Sequence, residues 1–194
     1  MYNYGKRINM SLSEVRLLLK LKEVERYSTV KERKESSAEH SWSAIIIAEY
    51  FLKLIKEPIN ELRVIKLLTY HDLVEIISKD NYSIVDNHKR EMSEDQAFEI
   101  LINKIPNELK EEYKEYYNEF KEQKTIESKF VKAIDALEAV IHVLDYKEQW
   151  HEQKWTEQKL RNYKEKAIKP FPEIYKFFNE LIEYCKENNY FVSE

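Results

Sequence analysis

The chain has 194 residues, enough for one domain with a sizeable core. A single glycine and four prolines exclude hairpin-rich sheets, dinucleotide-binding turns and glycine-rich phosphate loops, while abundant Glu, Lys, Leu, Ile and Ala favour helix. The formal net charge is -4 with basic and acidic residues interspersed, which argues against a nucleic-acid partner. Cys185 is the lone cysteine, so neither a disulfide framework nor a CxxC site is expected, and a reducing cytoplasm fits. No apolar run is long enough to span a bilayer, and neither a membrane role nor a signal peptide is expected.

Taken in order, the pattern predicts an all-α protein of one domain over residues 1–194, helical over about 10–188. A first amphipathic helix is expected over about 10–23, with Val15, Leu18, Leu19 and Val24 near one stripe. The charged run ERYSTVKERKES then reads as a surface loop. Ser36 and Glu39 have the spacing of a capping box, opening a helix to about Lys56 that Pro58 ends. Asn60 is placed to cap a third helix over about 61–77. A loop, SKDNYSIVDN, separates it from helices expected over about 88–104, 107–122, 126–149, 153–168 and 172–188. No internal repeat is evident.

Within these helices His40, the adjacent pair His71-Asp72, and Asp135 interrupt otherwise apolar stretches. Polar groups on apolar faces need compensating partners, and two imidazoles with two carboxylates can close around one divalent cation and leave room for water and substrate. On a helical wheel Leu67, Leu68, His71, Asp72 and Glu75 fall within roughly 140°, with Glu75 between His71 and Asp72. The plainer alternative is a helix edge with solvated carboxylates and one satisfied core histidine. His40 alone, in the first turn of its helix, is equally compatible with a surface histidine. Asp135 shares a face with Val131, Glu138 and His142, so a second ligand set, Asp135 with Glu138 and His142, is open on the same helix. Glu148 and His151 have the spacing of half a ferritin-like di-iron motif, but the fold needs two such pairs. Arg26 and Arg33 in the charged run are the planar donors suited to phosphate, or part of a solvated surface.

The order His40, His71-Asp72, Asp135 resembles the HD-domain metal-dependent phosphohydrolases. The runs Glu35-Ser-Ser-Ala-Glu39-His40-Ser41, Tyr70-His71-Asp72-Leu-Val-Glu75 to Asp80, and Glu127 to Glu138, with Arg26-Tyr27 ahead of His40, are similar to the 5'-deoxynucleotidase-like branch over roughly residues 14–184. That resemblance implies an all-α fold with the metal site between helices, its core over about residues 36–145, and His40, His71, Asp72 and Asp135 as ligands. It implies Glu75 beside the metal-bound water as the catalytic group, Arg26 on the substrate phosphate, Tyr27 near the sugar and Asp80 at the nucleoside end of the pocket. The branch usually has Trp where Tyr27 stands, and Gly-Asp-(Ile or Leu)-Pro where this chain has Lys79-Asp80-Asn81-Tyr82. The implied reaction is hydrolysis of deoxynucleoside 5'-monophosphates. The alternatives are hydrolysis of guanosine tetraphosphate or of a phosphodiester, or a metal-bearing nucleotide-binding regulator with little turnover. The mixed imidazole and carboxylate shell suits Mn, Co, Fe, Ni or Zn more than Mg. The resemblance also implies a homodimer, as do the aromatic and aliphatic side chains Phe171, Ile174, Phe177, Phe178 and Leu181 near the C-terminus.

Overall fold

The computed structural model describes residues 12–79 and 87–192. The protein is mostly helical with one two-stranded sheet, in the order α1 (12–18), β1 (Glu25–Val30), β2 (Arg33–Ser36), α2 (Ser37–Leu52), α3 (Glu61–Tyr70), α4 (Glu75–Ser78), α5 (Asn87–Ile102), α6 (Asn107–Glu122), α7 (Ile126–His142), α8 (Lys147–Glu152), α9 (Glu157–Ile168) and α10 (Pro172–Glu187). The contacts divide the chain into two compact units, one made of the chain to Ser41 with Thr69–Asn118, the other of Trp42–Leu68 with the chain from Glu119 onward.

In unit one the first helix is shorter than its periodicity suggests. It stops at residue 18 and tightens into a 3-10 turn, Leu19–Glu23. At three residues per turn, Leu18, Leu21 and Val24 line up and face inward, whereas Val15 and Leu19 are exposed. The charged run after it is not a loop. It forms an antiparallel hairpin with Glu25 opposite Ser36, Thr29 opposite Lys34 and Val30 opposite Arg33. Lys31 makes the turn at φ 55°, a left-handed conformation usually given to glycine or asparagine. The register is irregular between Glu25 and Thr29, where Arg26, Tyr27 and Ser28 all oppose Glu35. Behind the hairpin, Leu21, Val24, Leu73, Val74, Ile76, Phe98, Leu101 and Tyr113 build the core of this unit, and Phe98 stacks on Tyr117 with ring centres 4.2 Å apart.

The helix expected over 61–77 breaks after Tyr70. Asn60 caps it as expected, its Oδ1 accepting from the Arg63 N–H at 3.0 Å. Beyond Tyr70 the backbone tightens: the N–H groups of Leu73, Glu75 and Ile76 donate three residues back, to the carbonyls of Tyr70, Asp72 and Leu73, before α4 resumes. His71 and Asp72 therefore sit in a tight turn.

Unit two is built on α7, which packs on α9, which in turn packs on α10. Thr125 caps α7 through the Ser128 N–H at 3.1 Å, Thr156 caps α9 through the Lys159 N–H at 3.2 Å, and Pro172 opens α10. α7 ends at His142, earlier than expected, because Tyr146 leaves helical geometry and the Trp150 indole takes the Val143 carbonyl at 2.8 Å. Phe171, Ile174, Phe178 and Leu181 are buried, and Phe177 meets the edge of Phe51. These side chains fill this unit and supply no exposed face. No helix among the described residues is long and apolar enough to cross a membrane.

Candidate metal centre

The start of α2 is fixed by the capping box its sequence announces. The Glu39 carboxylate accepts from the Ser36 backbone N–H at 2.9 Å and the Ser36 hydroxyl at 2.8 Å, while the Glu39 N–H donates to Ser36 Oγ at 3.3 Å. Arg33 forks onto the same carboxylate, one of its nitrogens at 2.9 Å. That pairing, partly offset by desolvation and helped by the Ser36 bonds, lowers the Glu39 carboxyl to about 2. One residue on, His40 is fully buried.

The tight turn after α3 brings His71 and Asp72 to His40. Asp72 Oδ2 lies 3.3 Å from His71 Nε2 and 3.6 Å from His40 Nε2, and the imidazole centres are 5.5 Å apart. One donor atom from each of the three residues lies within 4.8 Å of the other two. Two atoms bound to one transition-metal ion at about 2.1 Å can be at most about 4.2 Å apart, so the separations of Asp72 from both imidazoles fit such an ion.

A guanidinium meets the same oxygen. Arg26 Nη1 lies 3.4 Å from Asp72 Oδ2, and its Nε 3.4 Å from Glu35 Oε2. Glu35 is 2% exposed and accepts from the Ser28 hydroxyl at 2.6 Å. Glu75 is also buried, and its Oε2 accepts from the Ser37 hydroxyl at 2.5 Å. Three carboxylates, Glu35, Asp72 and Glu75, thus lie in unit one with the Arg26 guanidinium and two imidazoles, and a carboxylate taken out of water needs positive charge or hydrogen bonds to offset its desolvation.

The other sequence-predicted residues are placed as follows. Asp135 lies on α7 in unit two, its Oδ2 paired with Lys132 Nζ at 2.8 Å, and on the same helix Glu138 is buried. Tyr27, on β1, is exposed. Lys34 Nζ lies over its ring at 4.6 Å and donates to its carbonyl at 2.5 Å. Asp80 and the Asn81-Tyr82 pair after it lie outside the described residues. The sequence gives Glu75 a place between His71 and Asp72 on a continuous helix. The broken helix removes that reason, yet Glu75 is buried and tied to Ser37, three residues before His40. Ser28, Glu35 and Ser37 are polar partners to which the sequence assigns no role. The one available signal is the β-prone Tyr27 and Thr29-Val30, which make a strand of an otherwise charged run.

Comparison with known proteins gives a consistent result. The family described as HD domain matches residues 18–175. Human 5'-deoxynucleotidase HDDC2 is 27% identical over 181 residues, covering 88% of this chain and 83% of the human protein. The Xenopus laevis protein of the same name is 30% identical over 122 residues, and that alignment spans 60% of this chain and 58% of the frog protein, less than two thirds of its length. A crystal structure from Magnetospirillum magnetotacticum, described as a predicted metal-dependent phosphohydrolase, superposes with a TM-score of 0.84 at 25% identity over 96% of both chains. An HD-domain phosphohydrolase from Listeria innocua shares the fold at a TM-score of 0.60 and 18% identity, covering 89% of this chain and 84% of that one. The chain belongs to the HD-domain family of metal-dependent phosphohydrolases.

Proposed function

We propose that this protein is a 5'-deoxynucleotidase, hydrolysing deoxynucleoside 5'-monophosphates to deoxynucleosides and inorganic phosphate. The observation that carries the reading is the convergence of His40, His71 and Arg26 about one carboxylate oxygen, Asp72 Oδ2. The identities with the HDDC2 proteins support the choice of substrate class.

His40, His71 and Asp72 are the proposed ligands of a divalent transition metal, and Asp135 of unit two is proposed as the fourth on the order of the sequence. The imidazole-carboxylate set favours Mn, Co, Fe, Ni or Zn over Mg. A divalent ion held there supplies Lewis acidity, bringing the pKa of coordinated water toward neutrality. Glu75 is the proposed general base, and the Ser37 hydroxyl on Oε2 fixes how its carboxylate is turned. The water oxygen forms its bond to phosphorus as the bond to the 5'-oxygen breaks. The proton accepted by Glu75 passes to that leaving oxygen. Arg26 shares the negative charge on the phosphoryl oxygens, with its guanidinium already turned toward Asp72. Tyr27 is proposed to pack near the sugar and Asp80 to face the nucleoside.

The test is a panel of metals against substrates: phosphate release from deoxynucleoside monophosphates, ribonucleoside monophosphates, guanosine tetraphosphate and a phosphodiester, with Mn or Co added. The expected outcome is preferential release from the deoxynucleoside monophosphates, reduced at least about a hundredfold in Glu75→Ala. Equal rates for wild type and Glu75→Ala remove Glu75 from the mechanism. Tight nucleotide binding without release across all metals replaces the enzyme with a nucleotide-binding regulator.

A further inference from the structure

We propose that Glu35 is a positioning residue, fixing the Arg26 guanidinium so that its terminal nitrogens face the phosphoryl group of the substrate. The inference rests on the reading of Arg26 as the phosphate contact, and the experiment below separates the two.

The starting observation is the irregular register of the hairpin. Regular pairing holds at Glu25 with Ser36 and again at Thr29 with Lys34, so three residues of β1, Arg26, Tyr27 and Ser28, oppose the single residue Glu35 of β2. A bulge of this kind re-aims side chains. Here Arg26 and Ser28 both converge on the Glu35 carboxylate, at 3.4 Å from Nε and 2.6 Å from the hydroxyl, while Tyr27 stays exposed.

Glu35 is 2% exposed, and a carboxylate so placed carries a large desolvation cost that only a cation and hydrogen bonds offset. The Arg26 guanidinium, on a side chain 17% exposed, brings positive charge to within 3.4 Å of that carboxylate, and the Ser28 hydroxyl donates to it. Guanidinium geometry is a rigid planar fork, and with its Nε edge 3.4 Å from the Glu35 carboxylate, an ion pair rather than a hydrogen bond, its terminal nitrogens extend away from that carboxylate. In this structure they point at Asp72, with Nη1 3.4 Å from Oδ2. A free arginine side chain loses rotamer entropy on binding, and an arginine held from behind spends less of its interaction with phosphate on being ordered. The proposed effect of Glu35 on phosphate passes through Arg26.

The experiment uses the full chain loaded with Mn or Co and two readouts: binding of inorganic phosphate by calorimetry, and KM against kcat for a deoxynucleoside monophosphate. The variants are Arg26→Ala, Glu35→Gln and the double variant, each checked for metal content and Tm. The expected result for Glu35→Gln is phosphate affinity weaker by about tenfold and KM raised by about as much, with kcat within about threefold and metal content kept. In the Arg26→Ala background, Glu35→Gln is expected to add nothing, because the group it positions is gone. If Arg26→Ala weakens phosphate binding while Glu35→Gln does not, or if the two effects add, the proposal for Glu35 is overturned and Arg26 keeps its role. If Arg26→Ala leaves phosphate affinity unchanged, the reading of Arg26 fails and takes this proposal with it. Should Glu35→Gln fail to fold, Ser28→Ala carries the test, since it loosens the carboxylate and keeps its charge. About a threefold loss of phosphate affinity that disappears in Arg26→Ala supports the proposal, and unchanged affinity overturns it.

Discussion

Glu39 both closes the capping box of α2 and pairs with Arg33, one residue before His40. Its carboxyl is lowered from an ordinary value of 4.5 to about 2, chiefly by Arg33. A lowered carboxyl contributes stability that is complete above the unfolded value and is lost as pH falls toward the folded one. The Tm gap between wild type and Glu39→Gln is therefore expected to narrow as pH falls from about 5 toward about 2, and a gap that stays constant or widens contradicts the assignment. The pair is partly solvated, so raising salt is also expected to shrink the gap. At this scale the sequence was informative wherever the interaction is local. Ser36 with Glu39 and Asn60 with Arg63 act within three residues, and both are found as their spacing suggests. Glu35 was opaque because its partners Arg26 and Ser28 reach it across a hairpin, and buried charge looks the same in sequence as solvated charge.

The elements show where periodicity informs and where it misleads. α6, Asn107–Glu122, has the bounds its pattern predicts, and α10 runs from the expected Pro172 to within a residue of its expected end. The hairpin was missed because the side chains that β1 and β2 turn inward include Arg26, Ser28 and Glu35, so no apolar alternation marks it. The break at His71-Asp72 was missed because over four residues a repeat of 3.0 and one of 3.6 are indistinguishable. It is this break, not a continuous wheel, that sets His71 and Asp72 beside His40. The scarcity of glycine has a cost at the turns. With a single glycine in the chain, positive-φ positions among the described residues fall to Lys31, Lys79, Gln123, Lys154 and Asn189. Lys154, exposed after α8 at φ 52°, is the simplest to relieve. Lys154→Gly is expected to stabilise the protein by about 0.5–1 kcal/mol, read as a Tm higher by roughly 1–4 °C, whereas Lys154→Ala gains nothing. A glycine variant that melts lower places the balance with unfolded-state entropy instead.

For the whole molecule, the open matters are assembly and the metal. The expected homodimer cannot rest on Phe171, Ile174, Phe178 and Leu181, which are buried in unit two. The better support is on α2, where Trp42, Ile46 and Tyr50 recur every four residues and are 66%, 52% and 56% exposed. Light scattering is expected to give a dimer that Ile46→Glu converts to monomer, and a monomeric wild type contradicts that assembly. The central claim is the metal centre, and elemental analysis of wild type against Asp72→Ala tests it most directly. The account predicts about one equivalent of a divalent transition metal in the wild-type chain and its loss, together with phosphate release, in Asp72→Ala. Full metal occupancy in Asp72→Ala would contradict it.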